Sequence, residues 1–169
     1  MLSGDRVTLR PVREDDLPTM YTWRIDLATW AATTEQPAYA MTWELYQERA
    51  RQSAERENAE FAVDVEGTLV GRAGVFGFNM LARSCEVGLH FAPGERGKGY
   101  GREVLALLVD FAFRHRNMHR VHLSCLANNE AAIRCYTAAG FVEEGRRRES
   151  AWVEGAYVDE VLMSRLVTD

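Results

Sequence analysis

Lysine is almost missing from this chain: Lys98 stands alone beside nineteen arginines in 169 residues, a bias of genome composition rather than of chemistry. Cysteine is scarce as well. Cys85, Cys125 and Cys135 are an odd number with no C-x-x-C spacing, which argues against a disulfide framework and a cysteine zinc site. No apolar run reaches the roughly 18 residues needed to cross a bilayer. Met1-Leu2-Ser3-Gly4-Asp5 offers no apolar signal core, so a cytoplasmic protein with no membrane partner is expected. Net positive charge is missing too. The formal charge is −5, which argues against a nucleic-acid ligand. His115, His119 and His122 lie close in sequence but straddle a predicted helix end and the next strand, so no metal is expected.

What is present fits one globular domain over residues 1–169, long enough to bury a real core. Its charge is uneven: residues 1–66 carry a net −6 and the remainder +1. That asymmetry has two readings, a cationic acceptor meeting an anionic cofactor or plain solvated surface.

Alternation around Val7 and Leu9 predicts a strand over residues 6–11. Acids at Glu14, Asp15 and Asp16 introduce a helix over 17–25. Residues 29–41 lack a steady period and contain Pro37, so they read as a loop or broken helix. Thr42 caps a helix over 43–55. Residues 60–65 and 69–78 flank Glu66-Gly67 as a hairpin, followed by a strand over 84–91. A helix over 99–116 places Leu105, Leu108, Val109, Ala112 and Phe113 on one inner face. The strand over 121–126 is nearly continuous in apolar residues and therefore central. Asn129 caps a helix over 130–139 that Gly140 ends. Strands over 141–147 and 157–166 surround a turn near Gly155. The order is β-α-α-β-β-β-α-β-α-β-β in a single α+β domain.

Two motifs carry the chemistry. Arg96-Gly97-Lys98-Gly99-Tyr100-Gly101 joins an apolar strand to a helix N-terminus. Such a turn leaves backbone N–H groups unpaired at the positive end of a helix, which favours a phosphate, and its glycines allow close approach. Lys98 is followed by Gly99 rather than Ser or Thr, so this is not a Walker A loop, and R-G-x-G-x-G is not the dinucleotide fingerprint. About 30 residues later comes Asn129-Glu130-Ala131-Ala132-Ile133-Arg134-Cys135-Tyr136, closing with Gly140-Phe141.

R-G-x-G-x-G followed by N-x-x-A-x-x-x-Y-x-x-x-G-F resembles the GNAT superfamily of acetyl-coenzyme A-dependent N-acetyltransferases, over nearly the whole chain. The opening, Leu9-Arg10-Pro11-Val12-Arg13-Glu14-Asp15-Asp16, looks like its RimJ/RimL branch. The resemblance implies a GNAT fold: a mixed, mostly antiparallel sheet of about seven strands, splayed between strands 4 and 5 by a bulge and flanked by about four helices. It implies acetyl-coenzyme A as co-substrate. Leu89, His90 and Phe91 would pair with its pantetheine arm, Arg96 through Gly101 would hold its pyrophosphate, and Asn129 would contact the arm. Tyr136 would lie near the thioester sulfur as the acid that protonates the leaving thiolate. Glu86 and His90, four residues apart on one strand face, are the candidates to relay the amine proton.

The acceptor implied first by the branch is a protein or peptide N-terminal amine. The alternatives are a small-molecule amine (polyamine, aminoglycoside or other toxic amine) and a non-catalytic acyl-coenzyme A-binding module. Trp23, Trp30, Trp43, Tyr39 and Tyr46 cluster where the acceptor helices are expected, either to hold a ligand or to pack the core. Arg146-Arg147-Arg148 reads as a cofactor contact or as an exposed edge strand. Homodimerisation through the late strands is left open by the sequence.

Overall fold

The computed structural model describes residues 1–33, 39–55 and 58–169. Its elements are β1 (Leu2–Ser3), β2 (Val7–Pro11), a 3-10 turn (Glu14–Asp16), α1 (Leu17–Ile25), α2 (Leu27–Thr33), α3 (Trp43–Glu55), β3 (Ala59–Val65), β4 (Thr68–Asn79), β5 (Ser84–Phe91), α4 (Tyr100–Asp110), a π-helical turn (Phe111–His115), β6 (Arg120–Leu126), α5 (Glu130–Ala138), β7 (Val142–Val153) and β8 (Ala156–Leu166). The eight strands make one mixed sheet in the order β1-β2-β3-β4-β5-β6-β8-β7. Every neighbouring pair is antiparallel except β5 and β6.

The strand alternation sorts side chains into two cores. In β3, Phe61 and Val63 point to one face and Ala62 to the other. On the first face Val7, Leu9, Val75, Val87 and Val121 pack against Val104, Leu105 and Leu108 of α4, with Ile133, Cys135 and Tyr136 of α5 at the margin. On the second face Met20, Trp23, Trp30, Met41 and Tyr46, from α1 to α3, pack over Ala62 and Ala92. The sheet is therefore covered on both sides.

The structure departs from the sequence expectation at four places. β1 is an eighth strand, too short at two residues to leave a pattern. Residues 27–33 are helical, because Asp26 Oδ1 accepts the Thr29 N–H at 2.7 Å and the helix buries Trp30; Pro37 lies outside the described residues. The helix expected to run to Arg116 widens into a π turn after Asp110, which lets Phe111, Ala112 and Phe113 all reach the core. β7 continues past Arg147 to Val153, because a register shift between Arg147 and Ala151 absorbs the extra residues.

A buried charge network fixes α1 to the sheet. Arg10 of β2 donates to both Asp16 carboxylate oxygens at 2.7 and 2.9 Å and to Asp64 of β3 at 2.6 Å. The Arg13 N–H adds a bond to Asp16 at 2.7 Å. Hydrogen bonding to Arg10 is the main cause that holds the Asp16 carboxyl below its ordinary value, against the opposing effect of burial. Asp16→Ala leaves Arg10 with Asp64 as its remaining carboxylate partner and should cost about 1–3 kcal/mol in urea unfolding. Because the folded pKa lies below the unfolded one, Asp16 stabilises fully above the ordinary carboxylate value. That contribution fades as pH falls through the lowered value, and Asp16→Ala should flatten this acid limb.

Candidate active site

β5 and β6 run side by side for only three residue pairs, Ser84↔Arg120, Cys85↔Val121 and Glu86↔His122. Beyond them β5 stays on β4 as far as Phe91, and β6 stays on β8 as far as Leu126. The strands therefore part after Glu86. The facing edges, residues 87–91 and 123–126, carry main-chain groups without a strand partner. Leu89, His90 and Phe91 all lie on this open edge. The register of β5 against β4 is unbroken from Glu86 to Phe91. The irregularity lies in β4, between Phe76 and Asn79, where Gly77 has φ +57°.

At the end of β5 the chain turns into α4 through Gly94, Gly97 and Gly99, with φ of +85°, +75° and +83°. L side chains rarely adopt that backbone region, which explains the glycines. The N–H groups of Arg96, Gly97, Lys98 and Gly99 donate to no acceptor among the described residues, and no side chain caps α4. Unpaired donors gathered at a helix N-terminus fit an anionic pyrophosphate. The side-chain charges are engaged elsewhere. Arg96 folds back to Thr29 Oγ1 at 3.0 Å, and Lys98 Nζ lies 2.9 Å from both Glu95 carboxylate oxygens.

Arg6, distant in the chain and carrying no motif, also contacts this loop. It donates to the Lys98 carbonyl at 3.3 Å and lies 5.2 Å from the Tyr100 ring centroid. Gly101 has a packing role: an added Cβ would come 2.9 Å from Cys135 Sγ, so glycine lets α4 approach α5. Asn129 caps α5, its Oδ1 accepting the Ala132 N–H at 3.1 Å.

Tyr136 is half-buried on α5 near Phe141 and Cys135 and near Cys125 of the parted β6 edge. Burial raises its phenol well above the ordinary value, with the two thiols adding to the shift. Its hydroxyl has no hydrogen-bond partner among the described residues. Burial also pushes the Cys125 thiol up to about 11 and raises Cys135, so neither is a ready nucleophile.

On the other face a cavity of about 1070 Å³ lies between α1–α3 and the sheet and ends at Leu89 and His90. Trp23, Trp30, Trp43 and Tyr46 line it while packing among themselves, so both readings of these aromatics hold; Tyr39 stands edge-on to Trp30 at 5.1 Å. His90 stacks on Trp23 at 6.1 Å, and its Nε2 is buried without a partner. Burial, helped by Arg96, Arg72 and Arg24, lowers its pKa to about 4, so the imidazole is neutral at physiological pH.

Glu86 is exposed and is not among the residues that line the cavity. The Phe76 ring covers the strip between Glu86 and His90, close enough to Gly74 and Gly88 that an added Cβ would meet it at 2.4 and 3.5 Å. Of the two relay candidates, the structure brings His90 to the cavity. Arg146 pairs with Glu143 and Arg147 with Glu160 on edge strand β7, as the edge-strand reading expects. Among the described residues no three histidine, cysteine or carboxylate side chains gather as a metal site.

Known proteins similar to this chain include several N-acetyltransferases. The chain is 29% identical over 159 residues to a spermidine N(1)-acetyltransferase of Vibrio cholerae, covering 92% of this chain and 90% of that protein. It is 26% identical over 165 residues to the spermidine N(1)-acetyltransferase of Escherichia coli, covering 96% and 87%. It is 28% identical over 142 residues to a putative ribosomal N-acetyltransferase of Bacillus subtilis, covering 83% and 78%. The fold superposes on a crystal structure of the Vibrio cholerae spermidine N-acetyltransferase in complex with CoA and spermine, with a TM-score of 0.89, 25% identity and 96% of each chain covered. The family model for an acetyltransferase (GNAT) domain matches residues 6–142, which include the glycine loop, Asn129 and Tyr136, and the chain belongs to that family.

Proposed function

We propose that this chain transfers the acetyl group of acetyl-coenzyme A to the primary amine of a small molecule, by direct attack with both substrates bound. The observation that carries this reading is the meeting of the aromatic cavity with the open β5 edge at Leu89 and His90. A cavity of about 1070 Å³ has the volume of a small-ligand site. Two relatives matched over more than 90% of the chain, those of Vibrio cholerae and Escherichia coli, are named as spermidine acetyltransferases, which favours a small-molecule acceptor over the protein N-terminal amine that the branch resemblance put first. Retention of Tyr136 beside the open edge favours an enzyme over a non-catalytic acyl-coenzyme A-binding module.

In this reading the main-chain donors of Arg96 to Gly99, with the first turn of α4 at Tyr100 and Gly101, hold the pyrophosphate. Leu89, His90 and Phe91 pair with the pantetheine arm, and Asn129 touches it. Bound acetyl-coenzyme A supplies the thioester carbonyl, where a C–N bond forms as the C–S bond breaks. Tyr136 gives its proton to the departing sulfur, and its raised pKa keeps that proton available across the working range.

His90 has a different task. An imidazole held near pKa 4 is a weak base toward an alkyl ammonium, whose ordinary value is near 10. His90 therefore does not deprotonate the ammonium. Its unpartnered Nε2 accepts a hydrogen bond from the free amine and aims the lone pair, while water carries the proton away. Glu86 takes no part in this step.

Tyr136→Phe should lower kcat about 100-fold in a thiol-release assay while calorimetric affinity for coenzyme A stays within about twofold; an unchanged kcat removes Tyr136 from the acid role. Across pH 5.5–8, kcat/KM should climb steadily as the amine loses its proton, with no separate step near the ordinary histidine value of about 6.5. A step there that disappears in His90→Gln would show a titrating His90. Gly99→Asp should weaken coenzyme A at least about tenfold, through the positive φ and the added charge near the pyrophosphate. Gly155→Asp, at φ +87° in the β7–β8 turn, is the control for strain alone.

A further inference from the structure

The acceptor cavity is rich in arginine. Among the described residues its ionised lining is Arg13, Arg24, Arg49, Arg51 and Arg72 against Glu14 and Glu60. Glu60 is already engaged by Arg72 and the Ser53 hydroxyl. Glu14 is exposed on the turn before α1, and Arg51 leans toward Glu48 at 3.9 Å. Arg24 and Arg49 have no carboxylate partner among the described residues. The half-buried Arg24 guanidinium lies 4.0 Å from the Trp30 ring centroid. Arg49 lies 5.3 Å from the Tyr39 ring centroid and donates to its hydroxyl.

Two consequences follow. Two aromatic faces at the cavity, Trp30 and the neighbouring Tyr39, already carry the chain's own guanidiniums. Among the described residues the cavity lining carries more positive than negative charge, although the chain as a whole is acidic. Burial pushes the Arg24 guanidinium pKa down, and nearby Arg72 and Arg49 push the same way against the opposing Tyr39. Arginine holds its charge under that pressure, so among the described residues Arg24 and Arg49 are cations without a carboxylate partner.

We propose that the acceptor is a small primary amine that also carries a carboxylate, which Arg24 and Arg49 receive while the amine reaches His90. The inference rests on the small-molecule reading above and names its substrate class. A planar carboxylate matches the guanidinium fork and replaces the missing counter-charge. A polyamine would instead bring several ammonium groups into a field that repels each of them. The same field suits the chemistry: like charge lowers the pKa of a bound amine and favours the free base that attack requires.

The test is steady-state thiol release with acetyl-coenzyme A on glycine, phenylalanine, 4-aminobutanoate and 6-aminohexanoate, each beside its amide, with spermidine in the same panel. The expected result is that the best carboxylate-bearing amine exceeds its own amide at least tenfold in kcat/KM and exceeds spermidine. Arg24→Gln and Arg49→Gln should raise KM for that amine about tenfold, with kcat and coenzyme A affinity little changed. Arg24→Lys keeps the charge and should lose less, which separates a charge effect from a folding defect. Equal or better turnover of the amides or of spermidine by the unaltered protein overturns the carboxylate but leaves the small-molecule acetyltransferase standing. No thiol release with any amine overturns both.

Discussion

The parting of β5 from β6 after Glu86 is the constraint on which the rest of the molecule depends. Two interior strands of one sheet give up their mutual hydrogen bonds for about half their length, and each exposes an edge in the middle of the fold. An unpaired interior edge is costly unless a ligand or water satisfies it. β4 and β8 hold the outer sides of the two strands, so the gap stays open without loss of the sheet. The glycine turn at the end of β5 continues the same theme, with four more N–H groups left unpaired at the start of α4. An extended molecule that ends in phosphates satisfies both sets at once.

The two faces of the sheet divide the work. Tyr136 approaches the gap from the face of α4 and α5, in surroundings that keep its phenol protonated. His90 approaches from the face of α1 to α3, in surroundings that keep its imidazole neutral. Arg96 links the sides, because the residue that begins the phosphate loop bonds Thr29 of the acceptor helices. Among the described residues the cavity on the α1–α3 face is lined by more arginines than carboxylates. The fold and the cofactor end are common property of the family, whereas the cavity is built from the helices and loops that most easily vary.

The glycine turn before α4 and the ends of α5 were legible in the sequence because their signals are local. R-G-x-G-x-G announces a strand-to-helix turn with unpaired donors, and the Asn129 cap and Gly140 stop bracket the helix that carries Tyr136. The cavity was not legible, because its walls come from α1, α2, α3, β3, β4 and β5 together. Arg24 over Trp30 depends on how α1 and α2 lie against each other, and His90 on Trp23 on how α1 lies on the sheet, which no local period encodes. Glu86 and His90 looked equivalent from their spacing; a single aromatic, Phe76 on the neighbouring strand, separates them. The π turn after Asp110 was hidden for the same reason, since core packing of Phe111 and Phe113 overrides the helical period there.

The central claim is that the open edge of β5 and the glycine loop together receive coenzyme A. Amide hydrogen exchange with and without saturating coenzyme A, with ATP as comparison, tests it most directly. The account predicts slowed exchange in residues 87–91 and 96–101 with coenzyme A, and protection confined to the loop or absent with ATP. Unchanged exchange along residues 87–91 while coenzyme A is bound would contradict it, because the strand edge would then have no part in holding the ligand.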